Sequence, residues 1–147
     1  MLNYKRIVSS VVVTFVFACM FSAVVFAKEI TPKVTIRVDG AGQDTVELAV
    51  NLLHGEYMRV ELTAASGTGY EWKLVEDPRL TRITEKSEPV QLSDDKNRPG
   101  GQYRITYTLQ AGAESGNESI RFILVRSWET NKLAAKTLMV DMTVTRR

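Results

Sequence analysis

The sequence predicts an all-β fold, an immunoglobulin-like β-sandwich of about seven strands, on three observations. Several segments alternate apolar and polar residues with a period of two, as strands do when one face is buried. Glycine-rich turn signals separate them at the spacing of a sandwich. No segment after Ala27 carries a convincing helical stripe.

Taken in order, Lys33 to Asp39 sets Val34, Ile36 and Val38 on one face, and Val46, Leu48 and Val50 repeat the pattern. Met58, Val60 and Leu62 do so again. Tyr70 and Trp72 share a face that Leu74 continues, which makes both rings core residues. The stretch from Glu76 to Asn97 is long and polar, with Leu80, Ile83, Val90 and Leu92 as its expected anchors; it reads either as a short irregular strand or as a helical turn. Tyr103, Ile105, Tyr107 and Leu109 form the clearest alternation. Ile120 to Val125 is apolar except for Arg121 and is expected to be a central strand covered on both faces, while Leu138, Val140, Met142 and Val144 close the domain. Turns fall at Asp39-Gly40-Ala41-Gly42, Ser66-Gly67-Thr68-Gly69, Arg98-Pro99-Gly100-Gly101 and from Ala111-Gly112 to Gly116-Asn117.

Ahead of this domain, Lys5 and Arg6 precede an almost uninterrupted apolar run from Ile7 to Phe26, and Val25-Phe26-Ala27 offers a small-residue cleavage site. This is the layout of a secretory signal peptide over residues 1–27, which leaves an exported domain, residues 28–147, in the periplasm or secreted. Two other readings of the run stay open. Its length of about 20 apolar residues suffices for an uncleaved membrane anchor. Cys19, after Val16-Phe17-Ala18, is a candidate lipid attachment point, although Phe17 is bulky where such a site wants a small residue.

Loss of the leader removes Lys5, Arg6 and the single cysteine but no acid, so the 19 basic and 17 acidic residues become 17 of each. A neutral domain has no long-range field with which to draw in nucleic acid or an anionic membrane, and neither is expected as a partner once the leader is cleaved. A chain of this size buries roughly two-thirds of its unfolded surface, so stability requires no disulfide. A monomer is expected.

Catalysis needs a nucleophile or metal, a base and a stabiliser in convergent positions. His54 is the single histidine and lies in Leu52-Leu53-His54-Gly55-Glu56, which reads as a turn between strands where it is solvated. Zinc wants several His or Cys ligands, and no such cluster exists. Asp77, Asp94 and Asp95 read as solubilising loop carboxylates. The sequence therefore predicts no enzyme, no metal and no cofactor.

Three loops are unusual for a plain sandwich. In Ala65-Ser66-Gly67-Thr68-Gly69-Tyr70-Glu71-Trp72 two glycines flank one threonine before a strand, so the backbone can turn sharply and another surface can approach it closely. Arg98-Pro99-Gly100-Gly101 precedes the strand starting at Gln102. Arg126-Ser127-Trp128-Glu129 follows the most apolar strand, and a tryptophan there is either folded back onto the domain edge or offered to a partner as a rigid anchor.

In order and spacing these loops resemble the chagasin family of cysteine-protease inhibitors, over most of the chain from about Gly42 to Val144. That family has an Asn-Pro-Thr-Thr-Gly-Tyr or -Phe loop followed closely by Trp; Thr68-Gly69-Tyr70 and Trp72 match it, whereas Ala65, Ser66 and Gly67 do not. A Gly-rich loop before a long alternating strand is matched by Gly100 and Gly101, with Arg98 in place of the first glycine. An Arg-Pro-Trp motif is matched by Arg126 and Trp128, with Ser127 in place of proline.

The resemblance implies an immunoglobulin-like sandwich whose three loops enter the cleft of a papain-like cysteine protease. Thr68 and Gly69 would face the catalytic centre, Gly100 and Gly101 one wall, and Arg126 with Trp128 the other; Ser66, Gly67 and Arg98, in the same loops, complete the expected protease-binding set. Loss of both prolines frees the unbound loops, which weakens docking. The competing expectation is a non-inhibitory periplasmic or cell-surface protein-binding module on the same scaffold.

Overall fold

The computed structural model describes residues 30–42, 44–92, 101–129 and 132–146. The expected leader and two of the candidate site residues, Arg98 and Gly100, lie outside the described residues. Nine strands follow in chain order: β1 (Val34–Asp39), β2 (Thr45–Leu53), β3 (Tyr57–Ala65), β4 (Tyr70–Leu74), β5 (Thr81–Lys86), β6 (Val90–Gln91), β7 (Gln102–Ala111), β8 (Gly116–Arg126) and β9 (Lys136–Thr145). The two beyond the predicted seven, β5 and β6, both come from the polar stretch after Glu76, which forms two strands beside β7, the first of them irregular, where one short irregular strand or a helical turn was expected.

The strands form two sheets, one ordered β1-β3-β7-β5 with β6 also beside β7, the other ordered β2-β9-β8-β4. β1 runs parallel to β3 and β2 parallel to β9; every other pair is antiparallel. Parallel neighbours cannot be joined by a tight hairpin. Here β2, placed in the opposite sheet, forms the crossover between β1 and β3.

Period-two alternation points Met58, Val60 and Leu62 of β3 and Leu109 of β7 at Phe122 of β8 and Leu138 and Val140 of β9, all fully buried. Between the sheets the rings of Tyr107 and Phe122 meet with centroids 5.1 Å apart in a tilted pair. Trp72 is buried, and its Nε1 donates to the Thr63 carbonyl at 2.9 Å, joining β4 to β3 beside the first loop. A bulge between Ile83 and Glu85 shifts β5 by one position. Lys86 therefore pairs with Tyr107, its Nζ 5.4 Å from the ring centroid.

Four expectations about packing need correction. Ile120, Phe122 and Leu124 are buried, but Ile123 and Val125 are only half-buried, because a two-layer sandwich covers one face of each sheet even for an interior strand such as β8. Leu48 is exposed on the edge strand β2, whose inward contribution comes from Val50 and Leu52. Leu80 and Ile83 do pack on the core. Val90 and Leu92 do not, since β6 is two residues long and rests only on the rim of β7.

Candidate functional site

Strand register brings the three loops to one end of the sandwich. Ala65, the last residue of β3, pairs with Gln102, the first of β7, so the connection Ser66–Gly69 lies beside Gly101. Tyr70, the first residue of β4, pairs with Arg126, the last of β8, so the same connection also lies beside Ser127 and Trp128. The first loop is thus central, with the second, represented by Gly101, on one side and the third on the other.

The first loop turns on its glycines. Gly67 and Gly69 have φ of +79° and +74°, in the left-handed region that side chains disfavour. Thr68 Oγ1 donates to the Ala65 carbonyl at 2.8 Å and accepts from the Tyr70 amide at 3.4 Å, which closes the turn locally. Gly69 has a second reason to be glycine: a Cβ there would lie 1.7 Å from Trp128 Cη2. The Trp128 ring rests on the bare backbone of Gly69 and still leaves the side chain 66% exposed. The ring is therefore folded back onto the domain edge and yet remains largely exposed.

Arg126 is committed inward. Its guanidinium lies 4.3 Å from the Tyr70 ring centroid, Nε donates to the Thr68 carbonyl at 3.1 Å, and Nη1 reaches Glu129 at 3.3 Å. Lys132, with Arg126, holds the Glu129 carboxyl below the usual carboxylate range. Arg126 ties the third loop to the first.

Further ties come from residues that sequence reasoning passed over. Tyr103, read only as core, donates its hydroxyl to the Tyr70 carbonyl at 2.8 Å, and burial pushes this phenol up, so it stays a neutral donor. Gln91 Nε2 donates to Ser66 Oγ at 3.2 Å. Glu71 accepts the Ser127 hydroxyl and pairs with Lys73 at 2.9 Å. Leu133, in the third loop, is 97% exposed. The available sequence signal for Leu133 was a lone aliphatic side chain five positions after Trp128 in a polar loop; Gln91 and Glu71 gave none.

A groove of about 670 Å³ runs beside the loops between Trp128, Gly69 and Tyr103. No histidine or cysteine lines it, and among the described residues no group of acids, histidines or cysteines is placed to hold a metal ion. What this end offers is a protruding, cross-bonded surface with an exposed aromatic ring.

Residues 51–142, a span that includes all three loops, match the family described as chagasin family peptidase inhibitor I42. The chain belongs to the chagasin family. Among solved structures its fold is similar to that of PbICP-C in complex with falcipain-2, with a TM-score of 0.58 and 18% identity over 76% of this chain and 99% of that one. The cysteine protease inhibitor EhICP2 from Entamoeba histolytica gives 0.57 and 16% over 78% and 100%. Amebosin gives 0.52 and 18% over 78% and 100%. At such identities the likeness is one of fold, and it is the family match that makes this chain one of the chagasin-family peptidase inhibitors. No protein of curated function matches the chain.

Proposed function

We propose that residues 28–147 form a reversible inhibitor of papain-like cysteine proteases that plugs the active-site cleft with the three loops. The observation that carries this reading is the convergence of Ser66–Gly69, Gly101 and Ser127–Trp128 at one end of a chagasin-family domain, with Trp128 standing 66% exposed. The structural relatives support the choice of target, because one is a complex with falcipain-2 and another is a cysteine protease inhibitor.

The physical logic is occlusion. A cleft that accepts an extended substrate is blocked by a preformed wedge whose backbone offers the catalytic thiolate no correctly placed carbonyl. The domain after Ala27 contains no cysteine, so inhibition is non-covalent. An interface of about 800 Å² per partner with one aromatic anchor supports nanomolar binding, roughly −12 kcal/mol. Thr68 and Gly69 face the catalytic centre in this reading, with Gly100 and Gly101 on one wall and Trp128 on the other.

The test is an inhibition assay of folded residues 28–147 against papain and cathepsin-type enzymes. Absence of inhibition at micromolar protein overturns the reading and returns the domain to the non-inhibitory binding modules. Export after cleavage behind Ala27 belongs to the same proposal, and the N-terminal mass of the protein recovered outside the cytoplasm checks it. Gel filtration checks the expected monomer.

A further inference from the structure

Two positions at which the chagasin pattern has proline carry serine in this chain, Ser66 and Ser127, and each serine makes a tie that proline cannot. The backbone amide of Ser66 and its Oγ both donate to the Gly101 carbonyl, each at 2.7 Å. The same hydroxyl accepts from Gln91 Nε2 at 3.2 Å, so its donor and an acceptor lone pair are both used. Ser127 Oγ donates to the Glu71 carboxylate and accepts from Lys73 Nζ at 3.4 Å, fixing the third loop to β4. Arg126 Nε on the Thr68 carbonyl closes the remaining gap between third and first loops.

We infer that Ser66 and Ser127 are positioning residues that lock the loop end into one docking unit, Ser66 by hydrogen bonds between the first and second loops and Ser127 by hydrogen bonds from the third loop to β4. This rests on the proposed inhibitory role of the loop end. The mechanism differs in kind from proline stiffening. A proline restricts its own loop whatever surrounds it. A hydroxyl tie restricts a loop only while its partner stays in place, so loosening one loop loosens its neighbour. Next to the tie, Gly67 has a φ of +79° and open space where a side chain would stand, so no side-chain packing fixes the loop at that residue.

Ser66→Pro separates the two mechanisms. Ala65 ends β3 in an extended conformation that tolerates a following proline, but the ring takes the place of the amide hydrogen bonded to Gly101, so urea unfolding is measured alongside to confirm that the variant is folded. If local stiffness is what matters, Ser66→Pro inhibits papain as well as the wild type or better, and that result overturns the inference. If the ties matter, Ser66→Pro loses both donors to Gly101 and weakens inhibition more than Ser66→Ala, which loses one and is expected to cost about fivefold to tenfold. Ser66→Thr, which keeps the hydroxyl, restores inhibition to within about twofold, and Ser127→Ala costs about threefold.

Amide hydrogen exchange on the free domain supplies the second readout. Ser66→Ala should speed exchange at the amides of Ser66 through Gly69 while the melting temperature holds; unchanged exchange overturns the inference. A wild type that fails to inhibit removes the inhibitory reading and, with it, the claim of docking. Faster exchange in Ser66→Ala would then keep only the tie between loops.

Discussion

The two ends of the sandwich satisfy their polar groups in different ways. At the end opposite the three loops, Glu118 accepts from the Arg79 and Leu80 amides and from Thr81 Oγ1, all within 2.9 Å. Backbone bonds join the turns there to one another: Gly55 to Ala111, Ala111 to Glu56, Gly112 to Leu80 and His54 to Thr145. His54 adds its ring to the Gly112 carbonyl at 2.7 Å. The loop end has one backbone bond between loops, Ser66 to Gly101, relies otherwise on the side chains of Ser66, Arg126, Tyr103 and Ser127, and exposes Trp128 and Leu133. One end is closed upon itself; the other is held in shape with apolar surface left uncovered. Large uncovered side chains gain free energy by burial against a partner, and the proposed docking of this end depends on that gain.

If this division is right, damage at the closed end lowers stability and spares inhibition per folded molecule. Glu118→Ala should show the largest effect, about 3 kcal/mol in urea unfolding, since three donors lose one acceptor at about 1 kcal/mol each. A parallel loss of specific inhibition would break the comparison.

Damage at the loop end should do the reverse. Trp128→Ala is expected to weaken papain inhibition at least tenfold, an anchor contribution of about 2 kcal/mol, while stability shifts by less than about 0.5 kcal/mol. Unfolding of that variant would return Trp128 to the core. Gly69→Ala tests the contact beneath the ring: the positive φ and the Trp128 overlap together cost stability by about 1 kcal/mol, and intrinsic fluorescence should report a displaced Trp128.

The smallest effect concerns neither end. Glu61 sits on the outer face of β3 between Arg37 at 2.9 Å and Arg104 at 3.2 Å. The hydrogen bond from Arg37, supported by Arg104 against the opposing effect of burial, holds its carboxyl below the usual value. Because the folded value is the lower one, this contribution to stability is complete above the ordinary carboxylate range and fades as pH falls through the folded value. Glu61→Gln should therefore flatten the acid side of a melting-temperature profile below about pH 4, with inhibition at neutral pH unchanged.

The strands were legible wherever one face is buried, because burial writes a period of two into the residues themselves. β3, β7 and β9 follow it from Met58, Ile105 and Leu138 onward. It faded at β5 and β6, where a bulge breaks the alternation after Ile83 and β6 exposes Val90. The candidate loops were legible for a different reason: Gly67 and Gly69 advertise a backbone that other residues resist, and Trp128 is costly to leave among polar neighbours. The Gly101 carbonyl as partner of Ser66, the inward commitment of Arg126 and the seat of Trp128 on Gly69 were not legible, since each joins residues more than 30 positions apart.

By itself the sequence determined an all-β domain, a balanced charge and the absence of a thiol beyond Ala27, and the loop residues that place the chain near the chagasin family. Those are properties of composition and local order, which each segment carries wherever it goes. The tertiary structure alone decided that Ser66 is tied to the second loop and Ser127 to β4, and that Arg126 joins the third loop to the first. Hydrogen bonds of that kind depend on register, and register is set by how whole strands pair.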